Sequence, residues 1–329
     1  MSIKEEIWKE LKNFLPNKIF DAHTHVSYGD SETPGGGGVK RGETFGIKTL
    51  LEWDRTLYHG REMSYFLIGM PLRRIDIFKM ANYTVEESRK YKNAYPVIVV
   101  KPGMEERELA EYVEKNEVVG FKPYRYYSIT GDIDECRIMD FLPEGIVRIA
   151  NYYGLLIVLH LSKKKGALDE ENKRDLLYLA EKYPNVKWQL AHCARSFNPY
   201  FLERAIGYLS KLENVYFDTS AVCESDVFDI LLSEISVSRI LFGSDNLPAH
   251  IQGGKYVSYG HAWMFLSSEQ CNLNLSHCNP VTLPVVYEEL RALTRSLRRN
   301  CGSDKKLREA TEKIFYLNAR RLVADILGV

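Results

Sequence analysis

Along the chain, short apolar runs alternate with stretches in which apolar residues recur every three or four positions. The runs span 19–26, 65–71, 96–101, 118–123, 155–160, 186–191, 215–218 and 239–245. Helix-period segments cover 104–116, 132–153 with an interruption at Pro143, 168–183, 199–212 and 225–235. Thr84-Val85-Glu86-Glu87 opens another with a Thr/Glu capping box. Continuous apolar strands, each followed by a helix, are the pattern of a parallel sheet buried on both faces. Eight such units predict an α/β fold of the (β/α)8 TIM-barrel class. An open doubly wound sheet is the rival, but none of the eight runs reads as a charged or proline-broken edge strand.

Two segments break the alternation. Residues 27–64 contain Gly35-Gly36-Gly37-Gly38 and only a short helix at 49–57, and residues 246–284 are rich in Gly, Ser, Asn and Cys. They are expected to be long loop insertions after strands one and eight, acting as lids on a single barrel domain spanning 1–329. Helices are predicted at 285–297 and 304–327, and Ile3, Ile7, Leu11 and Leu15 predict an amphipathic helix at the start.

Composition narrows the partners. With 45% apolar and 27% charged residues, the 329-residue chain has an ordinary globular make-up. Lys+Arg and Asp+Glu both number 44, so no global charge draws it to nucleic acid or an anionic membrane. No apolar run is long enough for a membrane span or a signal-peptide core. The six cysteines form no Cys-x-x-Cys pair and read as reduced thiols of a cytoplasmic protein. The partner expected is therefore a small molecule, and self-association into a homo-oligomer is left open. The four glycines lack the lysine-serine ending of a phosphate-cradling loop.

The candidate chemistry lies at strand ends. On an alternating strand Asp21, His23 and His25 share one face, which puts the two imidazoles about 6.6 Å apart, within reach of one ion. A lone His-x-His arises easily by chance. However, Lys122, His160, His192, Asp218 and Asp245 end the fourth to eighth runs, and barrels place their chemistry at the C-terminal ends of strands. Singly, each has an ordinary reading as a core histidine, a helix or turn cap, or a snorkelling lysine. Converging on one mouth, they form a site.

These residues resemble a known family. Asp21-Ala22-His23-Thr24-His25, Gly120-Phe121-Lys122-Pro123, His160, Ala191-His192, Asp218-Thr219-Ser220 and Ile240-Leu241-Phe242-Gly243-Ser244-Asp245 look like the amidohydrolase superfamily. The particular branch is the amidohydrolase 2 group, which also contains aminocarboxymuconate-semialdehyde decarboxylase, and the tail from Ile314 to Leu322 is similar to that group's last helix. Two departures stand out: Cys193-Ala194-Arg195 follows His192 where the group often has glycine, and Pro248 falls one place later than usual after Asp245. The resemblance implies that His23, His25, His160 and Asp245 bind one divalent transition metal. Imidazole with carboxylate suits zinc first, and also manganese, iron, cobalt or nickel. In other branches a carboxylated strand-four lysine bridges two metals; Lys122 stands at that position, and one metal with a free lysine is the preferred expectation.

Roles follow from ordinary acid–base chemistry. His192 is assigned as general acid/base, a histidine's unperturbed pKa being about 6.5, with Asp245 able to accept the proton of a water. Arg73, Arg74, Arg125, Lys163, Lys164, Lys165 and Arg195 follow the strands and would ring the mouth with positive charge, favouring a carboxylated substrate. Lys122, Arg125, Arg195 and Asp218 are the expected substrate contacts, and Tyr124, Tyr126 and Tyr127 could add aromatic walls. His250, His261, His277, Cys271 and Cys278 in the second insertion match no standard structural-zinc spacing. The first functional expectation is a metal-dependent hydrolase cleaving a C–N or C–O bond of an amide, lactone or ester. The alternative is a non-oxidative decarboxylase on the same site, and a non-catalytic metal-binding barrel is the third reading.

Overall fold

The computed structural model describes residues 3–30, 33, 35–36, 38–267, 277 and 281–328. Eight parallel strands pair in chain order: β1 (Lys18–Val26), β2 (Glu62–Gly69), β3 (Ala94–Val100), β4 (Gly120–Pro123), β5 (Leu156–Leu159), β6 (Lys187–Leu190), β7 (Val215–Asp218) and β8 (Ile240–Leu241). Beyond β8 the chain runs on beside β1, where Ala22 N donates to Phe242 O at 2.8 Å and Asp245 N donates to His23 O at 2.7 Å. The result is a nearly closed (β/α)8 barrel.

Alternation along the strands sorts the core into two layers. Phe20, Phe66, Ile68, Val97, Val158 and Leu241 fill the barrel, together with Leu322 and Val323 from the last helix. Ile19, Leu67, Ile98, Phe121, Ile157 and Leu190 face outward under the helices. Apolar residues are therefore needed at every strand position, which is why the sequence shows runs and not alternation.

β1 departs from simple alternation. Asp21 pairs with Tyr65 but Thr24 pairs with Leu67, so β1 holds one extra residue between these pairs, a β-bulge. The bulge reverses the phase. Asp21, expected beside the histidines, lies in the outer layer, where it accepts from Ser244 N at 2.9 Å and from the Ser244 hydroxyl. Burial pushes its carboxyl up to about 7.

Other boundaries also moved. The helix expected to open at Thr84 spans Ile77–Arg89 and is capped by Asp76, which accepts from Lys79 N at 3.1 Å. Glu87, the other half of the expected capping box, instead accepts from Ile47 N at 2.8 Å, at the head of the helix Ile47–Leu57. Apolar Ile77, Met80 and Ala81 recruit the earlier turns by packing. The expected helix at 132–153 is reduced to Ile138–Phe141 and Glu144–Tyr153, because the Asp132 carboxylate accepts from Asp134 N and Glu135 N and fixes a turn. The last helical stretch is broken by π-helical residues Lys313–Leu317, whose Ile314 carbonyl accepts from Phe242 N at 2.9 Å.

The second insertion is not merely irregular. It forms a short helix, Pro248–Gln252, and an antiparallel hairpin of β9 (Lys255–Tyr259) and β10 (Ala262–Leu266). Among the described residues no helix is long and apolar enough to cross a membrane.

Gly243 is the tightest point between the β8 extension and the bulge: an added Cβ would meet the His23 Cβ at 2.7 Å and its amide nitrogen at 3.1 Å. Gly243→Ala should therefore destabilise the fold by about 1–3 kcal/mol, the usual cost of overpacking, and shift the denaturation midpoint down. An unchanged midpoint would show that β1 and the β8 extension are not held this close.

Candidate metal centre and cavity

The bulge delivers His23 and His25 to the inside of the barrel mouth, and the β8 extension brings Asp245 across to meet them. Asp245 Oδ1 lies 3.3 Å from His25 Nε2 and 3.8 Å from His23 Nε2. Ligand atoms of these three residues all lie within 4.8 Å of one another, and the residues are buried. His160 and His192 complete the floor, with ring centroids 5.2 Å apart, and His192 lies 5.1 Å from His23.

Hydrogen bonds fix the tautomers. His23 Nδ1 donates to Asp218 Oδ2 at 2.9 Å, His160 Nδ1 to Leu161 O at 3.0 Å and His192 Nδ1 to Ser220 O at 2.9 Å. Each acceptor requires a proton on Nδ1, so each Nε2 presents a lone pair. His25 Nδ1 is buried without a partner. Burial, then the Lys122 ammonium, lowers His23 to about 4; burial lowers His25 as well, and with neighbouring His192 it holds His160 well below the ordinary value. Burial works against Asp245, yet the His25 hydrogen bond keeps its carboxyl well below the usual range. Two neutral imidazoles and an ionised carboxylate, from His23, His25 and Asp245, are donors that suit a divalent transition metal, whereas His160, the expected fourth ligand, lines the same cavity but is not among the residues whose ligand atoms lie that close together. The residues fit the ion.

A second trio, His23, His192 and Asp218, meets the same distance test. Asp218 is differently engaged. Besides His23 it accepts from Gln189 Nε2 at 2.7 Å, His192 N at 2.9 Å, Ser220 N at 3.2 Å and Ser220 Oγ at 2.5 Å. It is fully buried behind the floor, so the expected substrate contact is instead an anchor for two histidines. Sequence reasoning passed over Gln189 and Ser220, because neither residue type marks a site by itself.

A cavity of about 400 Å³ opens above this floor. His23, His25, Lys122, His160, His192 and Asp245 line its bottom, and Lys122 Nζ sits 3.3 Å from His23 Nε2, its pKa lowered by burial to about 8. Tyr124 joins the wall as expected, with Met70, Leu247, Phe197, Tyr256, Trp263 and Phe265. Gly38 and His250 bring both insertions to the lining. The hairpin aromatics were missed, although Gly260 between two β-rich segments was an available hairpin signal.

The expected ring of free cations is not seen among the described residues. Arg125 Nη1 binds Asp134 at 2.5 Å and Ile133 O at 3.0 Å, Arg195 Nη1 binds the Lys163 carbonyl, and Lys163 pairs with Glu171 at 2.8 Å. Arg73 lies over the Tyr126 ring at 4.8 Å. Lys164 and Lys165 are exposed, and none of these residues lines the cavity. Loop carboxylates and carbonyls hold Arg125, Arg195 and Lys163. In the second insertion, His250 reaches the cavity, His261 stacks on Tyr200 with centroids 3.6 Å apart and His277 is exposed, whereas Cys271 and Cys278 fall outside the described residues.

A parallel (β/α)8 barrel with a His-x-His strand, further histidines just beyond the fifth and sixth strands and an aspartate after the eighth defines a class of metal-dependent barrel enzymes. The sequence profile of the amidohydrolase family matches residues 74–324, and the chain belongs to that family. Members of this superfamily bind divalent metals. No curated protein matches the sequence. Among solved structures, 4-oxalomesaconate hydratase from Rhodopseudomonas palustris aligns over 94% of this chain and 97% of its own, with a TM-score of 0.58 and 16% identity. A probable 2-pyrone-4,6-dicarboxylic acid hydrolase from Acinetobacter baumannii aligns over 93% and 99%, with a TM-score of 0.58 and 12% identity. The manganese complex of 5-carboxyvanillate decarboxylase from Novosphingobium aromaticivorans aligns over 95% and 96%, with a TM-score of 0.54 and 13% identity. At such identities the likeness shows the fold, and the three neighbours carry three different reactions.

Two outcomes follow from this geometry. Protein purified without chelator should carry about one equivalent of transition metal by mass spectrometry; His23→Ala should lose it, and Asp218→Asn should bind it about 10–100-fold more weakly. Metal in His23→Ala equal to the parent would remove His23 from the site. His23 titrates at about 4 in the fold against 6.5 ordinarily, so it contributes stability above pH 6.5 that is lost as pH falls toward 4. The denaturation midpoint of metal-free protein should fall across that window, and less so in His23→Ala.

Proposed function

We propose that His23, His25, His160 and Asp245 hold one divalent transition metal, zinc first on ligand chemistry, and that the protein hydrolyses a C–N or C–O bond of a small anionic molecule. Supporting the coarser part of this reading, the chain belongs to a superfamily of metal-dependent enzymes. The observation that carries the rest is the placing of Asp245. One of its oxygens faces His25 and His23, while the other lies 3.8 Å from His250 Nδ1, which donates instead to the Asp245 backbone carbonyl at 2.7 Å. This second oxygen is free to accept a proton.

When bound, a divalent ion polarises a carbonyl and lowers the pKa of water to about 7. The chain's own groups supply the proton movements. Asp245 takes the proton of the attacking water at its free oxygen. That proton then passes to His192, whose Nδ1 is held by Ser220 and whose Nε2 carries a lone pair to receive it, and from Nε2 to the departing nitrogen or oxygen. Lys122, buried on the floor, holds the substrate's negative charge. Arg125 and Arg195, which bind loop partners, are left out of this scheme. We also propose a cytoplasmic location, which the free thiols of Cys136, Cys193, Cys223 and Cys301 support.

A second reading rests on the wall. Apolar and aromatic side chains above the floor would strip water from a substrate carboxylate, a setting that suits loss of carbon dioxide, with a solvent proton taken up at His192 Nε2 then passing to the carbon left behind. Incubation with carboxylated amides, lactones and aromatic acids in 18O-water separates the two. One 18O atom in the product means hydrolysis; carbon dioxide release without incorporation means the lyase. Asp245→Asn should abolish turnover in either case, and a variant as active as the parent would refute the assigned roles.

A further inference from the structure

The floor of the cavity and its wall have opposite character, and the wall comes largely from the hairpin β9–β10. Tyr256 and Phe265 face each other across the hairpin register, with ring centroids 5.0 Å apart. Phe197, from the loop after β6, stacks on Tyr256 at 4.4 Å and 18° and packs against Trp263 at 4.4 Å and 43°. The same ring lies 5.2 Å from His192 at 29°, so a column of near-parallel rings rises from the histidine floor to the hairpin.

This wall is fixed in place. Asn198 Nδ2 donates to Gly260 O at 3.0 Å and Ala262 O at 3.1 Å, tying the hairpin tip to the loop after β6. Ser258 N donates to Glu224 Oε1 at 3.2 Å, and Lys255 pairs with Glu288 at 3.3 Å. The Arg195 guanidinium lies 5.8 Å from the Trp263 ring centroid while its Nη1 binds the Lys163 carbonyl, so it backs the tryptophan from outside the cavity lining. Among the described lining residues, Lys122 on the floor is the one lysine or arginine.

From this arrangement we infer that the hairpin, with Trp263 at its centre, is the specificity element of the site: it accepts an uncharged planar body and rejects a second negative charge. The inference rests on the proposed metal-dependent reaction and deepens it, because it names the substrate as an acid with one anionic end and a flat conjugated ring. The anionic end meets Lys122 and the metal site, and the ring lies against Phe197, Tyr256 and Trp263. A second carboxylate under the hairpin would lose much of its water among rings, where the described lining holds no lysine or arginine to pair with it. The cavity of about 400 Å³ has room for such a ring, since about 150 Å³ suffices for benzene.

The test compares benzoate with isophthalate, which adds one carboxylate across the ring, and with cyclohexanecarboxylate, which loses planarity. Each is titrated calorimetrically into zinc-loaded protein. Benzoate should bind at least tenfold more tightly than either of the other two. Trp263→Ala should weaken benzoate about tenfold without changing metal content, and Trp263→Lys should reverse the order of benzoate and isophthalate. Isophthalate binding as tightly as benzoate to the parent protein overturns the inference even if neither variant folds. So does an unchanged ratio in folded variants, or no binding of any probe. Metal content, measured on the same samples, separates the two failures: bound metal with the wrong preference sinks only the specificity element, whereas protein that takes up no metal sinks the underlying reading.

Discussion

The floor of this barrel depends on one buried carboxylate. Asp218 stands at the end of β7 with no exposure to solvent, where an isolated charge would be prohibitively costly. Donors from three strands and their ends compensate it: His23 on β1, Gln189 on β6, the amide of His192 just beyond β6, and the amide and hydroxyl of Ser220. Because all converge on two oxygens, the carboxylate does more than orient one histidine. It sets the distance between the strand that carries His23 and His25 and the turn that carries His192.

That turn is itself strained. His192, Cys193, Ala194 and Arg195 have φ of 56, 51, 61 and 60°, four consecutive residues in the left-handed region without a glycine. Each costs roughly 1–2 kcal/mol relative to the right-handed form. The surrounding bonds hold it: His192 N to Asp218, the Cys193 thiol to the Asp218 carbonyl at 3.4 Å, Ser196 N to His192 O at 2.8 Å, and Arg195 to the Lys163 carbonyl. The absence of glycine after His192, visible in the sequence as a departure from the family pattern, thus has a physical counterpart. A tight turn that glycine would form cheaply is here imposed by Asp218 and packing, which leaves the His192 ring little freedom.

Much of this was legible in the sequence because it rests on local signals. A strand buried on both faces must be apolar throughout, so its polar terminus stands out; this located His160, His192, Asp218 and Asp245 at the barrel mouth. The errors came where a local signal met a distant competitor. Alternation put Asp21 beside His23, but a single extra residue in β1 inverts everything before it, and the partner strand that reveals the extra residue is some forty positions away. Glu87 read as a capping partner for Thr84 until the amide of Ile47 engaged it. Arg125 and Arg195 read as free cations because Asp134 and the Lys163 carbonyl become their neighbours only through the folding of the loops.

Floor and wall divide the work according to where each comes from. Polar groups at strand ends are surrounded by the barrel, so each must be hydrogen-bonded or bound to an ion, and their freedom to vary is small. The wall is built on the insertion after β8 and the loop after β6, which are tied to each other by contacts such as Asn198 with the hairpin tip. Such segments can change residues without disturbing the strands beneath them. The same fold accordingly serves a hydratase, a probable hydrolase and a decarboxylase among its structural neighbours. In this protein the distinguishing chemistry lies in the aromatic hairpin facing the histidines, and it is there that the choice of substrate is made.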